Sequence, residues 1–507
     1  MCNESQLFLE ALLAYAVCTV EKPNGGAMPT TKTRDKKVRP KPFLFPQYCK
    51  ACGRCIESCP SDCITYSDEI DPVTGLKPIV IDYDVCNGCG LCLEACPEPF
   101  GLMPRPSPDF DPGVVDPETW FGPKATTSPK PKTKASRRRS IPVLEPLVLK
   151  GTHAASVGAL LAGCRHFFGY PITPSTEGAE LLARLLPKFN GQFVQAVSEV
   201  ATVNMMYGCG GAGLPTMTFT SSPGFSLMLE GISYMIGAQV PGVFVNIMRG
   251  GPGLGNIAPE QADIKLVCRG LGHGNTHGIV LAPASPQEML DLTMLAFELS
   301  FKYRNPVILA GDGYLGQITG RVELPEYMIE PGIPEWAVFG DELHRRNLIN
   351  SIRLEESDLE EHNELLNEKY RAMTENEQRS DSFLCEDADL LVIASNTPAR
   401  IAKGAVQELR EIGIKAGLFR PVTLWPFPID ALIPHLAHAR GILMVEAGPG
   451  QLEDELRLAM SHSGVRMPAT FASVQHYGGV LPQAREIVEK AITLEVSRNG
   501  KRILQAI

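Results

Sequence analysis

The sequence is short of positive charge. Its 47 Lys and Arg are outnumbered by 57 Asp and Glu, a net charge of −10. That deficit argues against a general nucleic-acid binder, because phosphate affinity needs a basic surface. Unbroken apolar runs are scarce as well. Val200–Leu229 carries no charge and is long enough to span a bilayer. Gly208, Gly210, Gly211, Gly213, Pro215, Pro223 and Gly224 interrupt it, and would leave backbone groups unsatisfied in lipid. A secretory leader is not expected: the run Leu7–Val17 follows Glu4 rather than a basic segment and contains Glu10, and a second start at Met28 would remove it. There is no short-period repeat. Neither a nucleic acid nor a membrane is therefore expected as a partner, and the reduced thiols argued below place the chain in the cytoplasm.

What is present is globular. The chain has 507 residues, 44% apolar and 21% charged, which suits three to four domains at roughly 150 residues each. Of its 15 cysteines, eight stand at metal-ligand spacing between Cys49 and Cys96. Cys49, Cys52, Cys55 and Cys59 form C-x2-C-x2-C-x3-C followed by Pro60, and Cys86, Cys89, Cys92 and Cys96 repeat it before Pro97. This is the bacterial ferredoxin run, in which three cysteines hold one [4Fe–4S] cluster and the fourth ligates the other. Cluster one is assigned to Cys49, Cys52, Cys55 and Cys96, and cluster two to Cys86, Cys89, Cys92 and Cys59. Zinc sites use two separated pairs per ion, which fits this spacing badly. Cys63, four residues after Cys59, is read as a non-ligand.

The composition divides the chain. Residues 1–43 read as a flexible lead ending in a basic stretch (Lys32 to Lys41), and 44–103 as a two-cluster ferredoxin domain of α+β type. Residues 104–147 read as a Pro- and Lys-rich linker, with Arg137-Arg138-Arg139 solvated or facing a partner. From 148 to 335 strands alternate with helices: Val157, Leu160, Leu161, Cys164 and Phe168 recur at helical spacing, and Val243–Met248, Ile279–Ala282 and Pro306–Ala310 read as strands. Ser285-Pro286-Gln287-Glu288 supplies a cap, a first-turn proline and a capping-box acid. A polar helical connector, 336–386, precedes a second α/β unit at 387–496 and a tail at 497–507. The fold class is α/β, with two doubly wound parallel-sheet domains behind the ferredoxin domain.

Within the larger part, Gly169-Tyr170-Pro171-Ile172-Thr173-Pro174-Ser175-Thr176-Glu177 brackets a threonine between prolines at the expected carboxyl end of a strand, where ligands of open α/β sheets bind. Ser198-Glu199-Val200-Ala201, a Gly-rich loop at 208–213, Thr220 to Ser226, and Arg249-Gly250-Gly251-Pro252-Gly253-Leu254-Gly255-Asn256 follow. In this order the segments resemble the alpha subunits of 2-oxoacid:ferredoxin oxidoreductases, thiamine-diphosphate enzymes, over about 148–496. The Arg249–Asn256 run is most similar to the 2-oxoisovalerate members, with 2-oxoglutarate members next. Arg420-Pro421-Val422-Thr423-Leu424-Trp425-Pro426 resembles the family's transketolase-C-terminal-like domain.

The resemblance implies that Glu199 bonds the aminopyrimidine ring of thiamine diphosphate and so activates the cofactor, that Thr173 hydrogen-bonds the 2-oxoacid, and that Arg249 pairs with its carboxylate. It implies coenzyme A as co-substrate, ferredoxin or another carrier as electron acceptor, and oxidative decarboxylation as the reaction. Gly311-Asp312-Gly313 is similar to the start of a thiamine-diphosphate Mg²⁺ motif but lacks the later Asn, and is read as a strand-to-turn connection. Mg²⁺ and the diphosphate would then be held by a beta subunit, with a gamma subunit completing the complex. Gly151-Thr152-His153-Ala154 departs from the family's Gly-Asn-Glu-Ala; Thr152 is expected to cap a helix. Gly448-Pro449-Gly450 is too little for a nucleotide site, and His273 and His277, in a Gly-rich loop, are not read as metal ligands. The other reading is a non-catalytic electron-transfer adaptor. An indolepyruvate-type enzyme is disfavoured, because there the clusters lie at the C-terminus.

Overall fold

The computed structural model describes residues 41–46, 49–71, 75–96, 102–104 and 136–499. Residues 1–40 of the lead, Pro97, most of the linker and the last residues of the tail lie outside them, and the strand Pro42–Leu44 takes in the final residues assigned to the lead. The chain divides into two compact units, Pro23–Lys130 and the remainder.

The smaller unit is built as two similar halves. Strand β1 (Pro42–Leu44) pairs antiparallel with β4 (Leu102–Pro104), and β2 (Ile64–Tyr66) with β3 (Ile79–Ile81). Two short helices, α1 (Arg54–Glu57) and α2 (Leu91–Ala95), carry Cys55 and Cys92. Each is preceded by a glycine at positive φ, Gly53 at 76° and Gly90 at 82°. That left-handed conformation suits glycine, and it recurs at the same place in both cysteine runs.

In the larger unit two strands ahead of the first large sheet each pair with a later strand in a two-stranded sheet. β5 (Arg137–Ser140) pairs with a later strand, β14 (Tyr327–Glu330), and β6 (Leu147–Lys150) with β13 (Thr319–Val322). Arg137-Arg138-Arg139 is thus part of a sheet and not the end of a linker. Arg137 pairs with Glu330 at 2.8 Å, and the Arg138 guanidinium lies 4.6 Å over the Tyr327 ring.

The first large sheet contains β7 (His166–Gly169), β8 (Gln192–Gln195), β9 (Thr216–Thr220), β10 (Gly242–Met248), β11 (Ile279–Leu281) and β12 (Pro306–Asp312). They are parallel, in the order β11-β12-β10-β9-β7-β8. Helices α3 (Gly151–Leu161), α4 (Thr176–Leu185), α5 (Glu199–Gly211), α6 (Ser222–Gly237), α7 (Ile264–Arg269), α8 (Pro286–Tyr303) and α9 (Gly313–Gln317) connect them. The helical spacing expected to run from Val157 to Phe168 stops at Leu161, because Gly163 takes φ 85° and Phe168 belongs to β7. The expected Gly-rich loop is mostly helix: Gly208, Gly210 and Gly211 lie in α5, where Gly210 lets the helix approach the Pro241 carbonyl.

Thr152 caps nothing; it lies inside the first turn of α3 and donates to the Gly316 carbonyl at 3.2 Å. Ser285 caps α8 as expected, accepting from the Glu288 N–H. Glu288 reaches back to the Ala284 N–H at 2.8 Å and also takes both guanidinium arms of Arg420, at 2.9 and 2.8 Å.

The connector holds helix α10 (Glu356–Asn376), polar outside, with His362, Leu366, Tyr370 and Met373 buried. The second sheet starts before residue 387, because β15 (Ser380–Phe383) is its antiparallel edge beside β17 (Ala416–Pro421). Its parallel strands are β17, β16 (Leu390–Ala394), β19 (Gly441–Glu446) and β20 (Thr470–Gln475), in that order. Helices α11 (Asn396–Glu411), α12 (Ile429–Leu436), α13 (Gln451–His462) and α14 (Ala484–Asn499) cover it, and α14 continues past the expected boundary at 496.

β18 (Thr423–Trp425) leaves this sheet and adds antiparallel to β11 of the first. The two expected parallel sheets are present, each with one antiparallel edge. One apolar core runs from Leu149 through both sheets to Met460, and a second, around Val392, Val406 and Ile487, fills the other face of the second sheet. The uncharged run Val200–Leu229 spreads over α5, β9 and α6. Among the described residues no helix is long and apolar enough to cross a membrane.

Candidate functional site

Numbered by their place in the chain, the parallel strands of the first sheet run 2-1-3-4-6-5, so the winding reverses between β7 and β9. Ligands of open α/β sheets bind outside the carboxyl ends of the strands at such a point. The loop after β7 carries Thr173, and Thr220 to Gly224 form the junction from the end of β9 into the first turn of α6. Glu199 opens α5 behind β8, held there by Ser198, whose side chain accepts from the Ala201 N–H.

Glu199 is buried, 5% exposed. Its carboxylate lies against Gly224: a Cβ on Gly224 would come within 2.5 Å of Glu199 Oε1. The neighbouring Thr220 and Ser221 hydroxyls are buried with no protein partner. A buried carboxylate beside unpartnered hydroxyls and a glycine-sized gap fits the edge of a polar ring. Gly224→Ala is therefore expected to displace the carboxylate and lower 2-oxoacid turnover about 100-fold. Iron content should stay normal, as checked by steady-state assay and iron analysis of one preparation.

Arg249 directly follows β10 and is 8% exposed. Its Nη1 donates to the Thr173 carbonyl at 2.6 Å and its Nη2 to the Leu254 carbonyl at 3.3 Å, while Nε is buried without a partner. Thr173 and Arg249 are brought together through the Thr173 backbone, whereas the Thr173 side chain is exposed. Arg249 is thus a tie between two loops as well as a cation with one open donor.

Ser222, in the first turn of α6, accepts from the Arg249 N–H at 3.1 Å and donates to Asp263 at 2.6 Å; Asn246 donates to the same carboxylate at 2.9 Å. Burial pushes the Asp263 carboxyl up, and the Ser222 and Asn246 bonds and Arg249 pull the other way. Sequence reasoning missed Asp263, which stands in no motif.

It also missed Gln261. The second sheet reverses its winding between β16 and β19, and Gln261 fills that crevice. Its Nε2 donates to the Ser395 carbonyl at 3.3 Å and to Asn396 Oδ1 at 3.1 Å, and its Oε1 accepts from the Ala447 N–H at 2.9 Å. Gly448-Pro449-Gly450 borders a crevice that the chain itself occupies. Glu260 ties the Arg249 loop to the second sheet, accepting from the Gly251 N–H at 3.3 Å and the Gly478 N–H at 2.9 Å.

Asp312 is fully buried and caps α9: it accepts from the Leu315 and Thr397 N–H groups, each at 2.9 Å, and from the Thr397 hydroxyl at 2.8 Å. It connects strand to helix, with its carboxylate taken up by those three bonds. His277 is stacked on Trp425 at 4.6 Å, and burial lowers its pKa to about 4. His273 faces Ser233. A cavity of about 540 Å³ between α8 and the paired strands β5 and β14 is lined by Arg137, Arg138, Asp291 and Glu298, and none of Thr173, Glu199 and Arg249 lines it.

In the smaller unit, burial pushes the Cys55 thiol up to about 11, with Cys49, Cys96 and Cys52 adding to the shift. Cys92 is likewise pushed up to about 11 by burial, then by Cys89, Cys86 and Cys55. Buried thiols gathered in a small apolar core with Ile64, Ile79 and Leu102 call for cationic ligand chemistry, since a coordinated thiol is deprotonated outright. Among the described residues no three His, Cys, Asp or Glu side chains lie close enough to hold one metal ion. A mononuclear zinc draws its sulfurs to about 2.3 Å; a four-iron cube, with one thiolate per iron, spreads them further. The repeated C-x2-C-x2-C-x3-C spacing of these thiols fits two four-iron clusters.

Fold and site together define a redox chain in which an α/β cofactor domain shares a polypeptide with an iron–sulfur module. Residues 157–380 match the thiamine-diphosphate-binding domain of pyruvate flavodoxin/ferredoxin oxidoreductases, 388–487 match pyruvate:ferredoxin oxidoreductase core domain II, and 48–99 match a 4Fe-4S dicluster domain. The chain is 45% identical to ketoisovalerate oxidoreductase subunit VorB of Methanothermobacter marburgensis, covering 68% of this chain and 96% of that one. It is 36% identical to 2-oxoglutarate synthase subunit KorA of Methanocaldococcus jannaschii, over 61% and 90% of the two chains. The solved 2-oxoglutarate:ferredoxin oxidoreductase of Magnetococcus marinus, with 2-oxoglutarate, coenzyme A and succinyl-CoA bound, superposes with a TM-score of 0.60 at 25% identity, over 69% of this chain and 65% of that one. The chain belongs to the 2-oxoacid:ferredoxin oxidoreductase family as an alpha subunit with an N-terminal 4Fe-4S dicluster domain. It is one subunit of a multi-subunit oxidoreductase.

Proposed function

We propose that the chain carries the pyrimidine half of a thiamine-diphosphate site for the oxidative decarboxylation of 2-oxoisovalerate, with 2-oxoglutarate the second choice. The observation that carries this is the buried Glu199 carboxylate at the switch point of the first sheet, set against Gly224. Thiamine diphosphate, when bound, supplies the electron sink for decarboxylation. Glu199 holds the aminopyrimidine by bonding a ring nitrogen and keeping a proton there. Arg249 directs its open Nε, with an adjacent Nη, at the 2-oxoacid carboxylate, and Thr173 orients the 2-oxo group. Coenzyme A takes the acyl group, giving acyl-CoA, CO₂ and two electrons. Cys49, Cys52, Cys55 and Cys96 would hold one [4Fe–4S] cluster and Cys86, Cys89, Cys92 and Cys59 the other, and the clusters would supply one-electron transfer to ferredoxin or another carrier.

A beta subunit supplies Mg²⁺ and the diphosphate site, and a gamma subunit completes the assembly. The surface around Glu199 supports a covering partner: Val197 is 87%, Val200 45%, Leu254 81% and Tyr477 64% exposed. Gly208 on the open face of α5 adds room for close approach. A branched substrate side chain suits the loop after Arg249, which presents Leu254 and Ile257. Residues 250–263 contain no second cation to meet the distal carboxylate of 2-oxoglutarate.

The test is to purify the chain with its partner subunits and measure acyl-CoA formation and dye reduction across 2-oxoacids. 2-Oxoisovalerate should give the highest kcat/KM. A preference for 2-oxoglutarate overturns the substrate assignment.

A further inference from the structure

The second cysteine run has company that the four-ligand assignment does not use. Cys63 is 5% exposed, and its Sγ lies 3.3 Å from that of Cys59. Cys86 borders the same space. A small cavity is walled by Cys59, Cys63, Cys86, Cys89 and Cys92, so five thiols face one space. The local chain explains the placement. Helix α1 ends at Glu57, the turn through Ser61 brings the Cys63 N–H towards the Cys59 sulfur, and β2 begins at Ile64. Cys63 therefore enters the core just ahead of a strand whose first residue is 2% exposed, and its side chain is almost wholly buried.

A [4Fe–4S] cluster takes four thiolates, one per iron. With Cys86, Cys89, Cys92 and Cys59 assigned, the fifth sulfur touches one ligand and neighbours a second. An S–H group there can donate to the Cys59 sulfur, and hydrogen bonds to cluster sulfurs raise the reduction potential. If Cys59 is removed, the Cys63 sulfur is already beside the vacated position and needs only to lose its proton and bind the same iron.

We propose that Cys63 is a fifth working thiol of cluster two. It donates to the Cys59 sulfur while Cys59 is the ligand, and it becomes the iron ligand when Cys59 is absent. This rests on the ligand assignment given above for cluster two.

The experiment uses the full chain, reconstituted anaerobically with iron and sulfide. Iron and acid-labile sulfide are counted, and the reduced protein is followed by electron paramagnetic resonance. The Cys59→Ala chain should keep the full iron and sulfide of the unaltered protein, and the Cys59→Ala/Cys63→Ala chain should keep about half. Equal loss in the single and double variants overturns the proposal, as does full retention in both. The Cys89→Ala chain checks the underlying assignment separately. It should lose one cluster whatever Cys63 does, and full iron there overturns the assignment and the proposal with it. Should the Cys59→Ala chain fail to fold, the Cys63→Ala chain decides by potentiometry. It should hold full iron with the midpoint of one cluster lowered and the other unmoved; two unmoved midpoints overturn the proposal.

Discussion

Glu199→Gln should lower acyl-CoA formation about 100- to 10,000-fold, the range a positioned proton-handling group contributes. The substitution keeps the shape of the side chain and removes its charge. Glu199 is the first residue of α5, fixed by the Ser198 cap and pressed towards Gly224, so the amide should sit where the carboxylate did. The loss should appear in kcat at saturating thiamine diphosphate, with iron content and dithionite reduction unchanged. The measurement is a steady-state assay of the reconstituted complex. Unchanged acyl-CoA formation would leave the chain as an adaptor whose clusters work while its large domains only dock.

Arg249→Lys should reduce kcat/KM for the 2-oxoacid about 10- to 100-fold, because a hydrogen bond to a charged group is worth about 1.5–3 kcal/mol. Lysine keeps the charge and loses the planar fork. The guanidinium has two sets of donors here: Nη1 and Nη2 hold the Thr173 and Leu254 carbonyls, and Nε is buried with no partner in the chain. The greater part of the loss should therefore fall on KM, with thiamine diphosphate affinity unchanged. Substrate titrations of the variant complex, paired with cofactor titrations by fluorescence quenching, separate the two. A fall in cofactor affinity as large as the fall in kcat/KM would show that Arg249 only braces the loops.

Strand and helix alternation was legible from residue 148 onwards because buried parallel strands are short apolar runs with no polar face, as in Val243–Met248 and Leu390–Ala394. The family segments were legible because a Thr between two prolines and a Glu after a capping Ser carry their own local chemistry. What escaped was set by tertiary contact. Arg137-Arg138-Arg139 has linker composition, yet it forms a strand because Tyr327–Glu330 offers a free edge, an aromatic face and a carboxylate.

Gly208, Gly210 and Gly211 suggest a loop by propensity, but α5 tolerates them where Gly210 meets the Pro241 carbonyl. β18 leaves its own domain to join the first sheet, a pairing no local pattern announces. Asp263 and Gln261 are ordinary polar residues in sequence, and their roles exist only once Ser222, Ser395 and Ala447 are placed around them. Cys63 was visible as an extra cysteine but not as a neighbour of Cys59.

The central claim is that the reaction at the α/β site empties into the clusters on the same chain. The direct measurement is freeze-quench electron paramagnetic resonance of the assembled complex. It is mixed anaerobically with 2-oxoisovalerate and coenzyme A, without external acceptor and with or without thiamine diphosphate. The account predicts reduced [4Fe–4S] signals that form within a turnover only when thiamine diphosphate is present. They should disappear in chains lacking Cys89 and Cys92 together with Cys49 and Cys52. Acyl-CoA formed at the normal rate while those signals stay absent would contradict it.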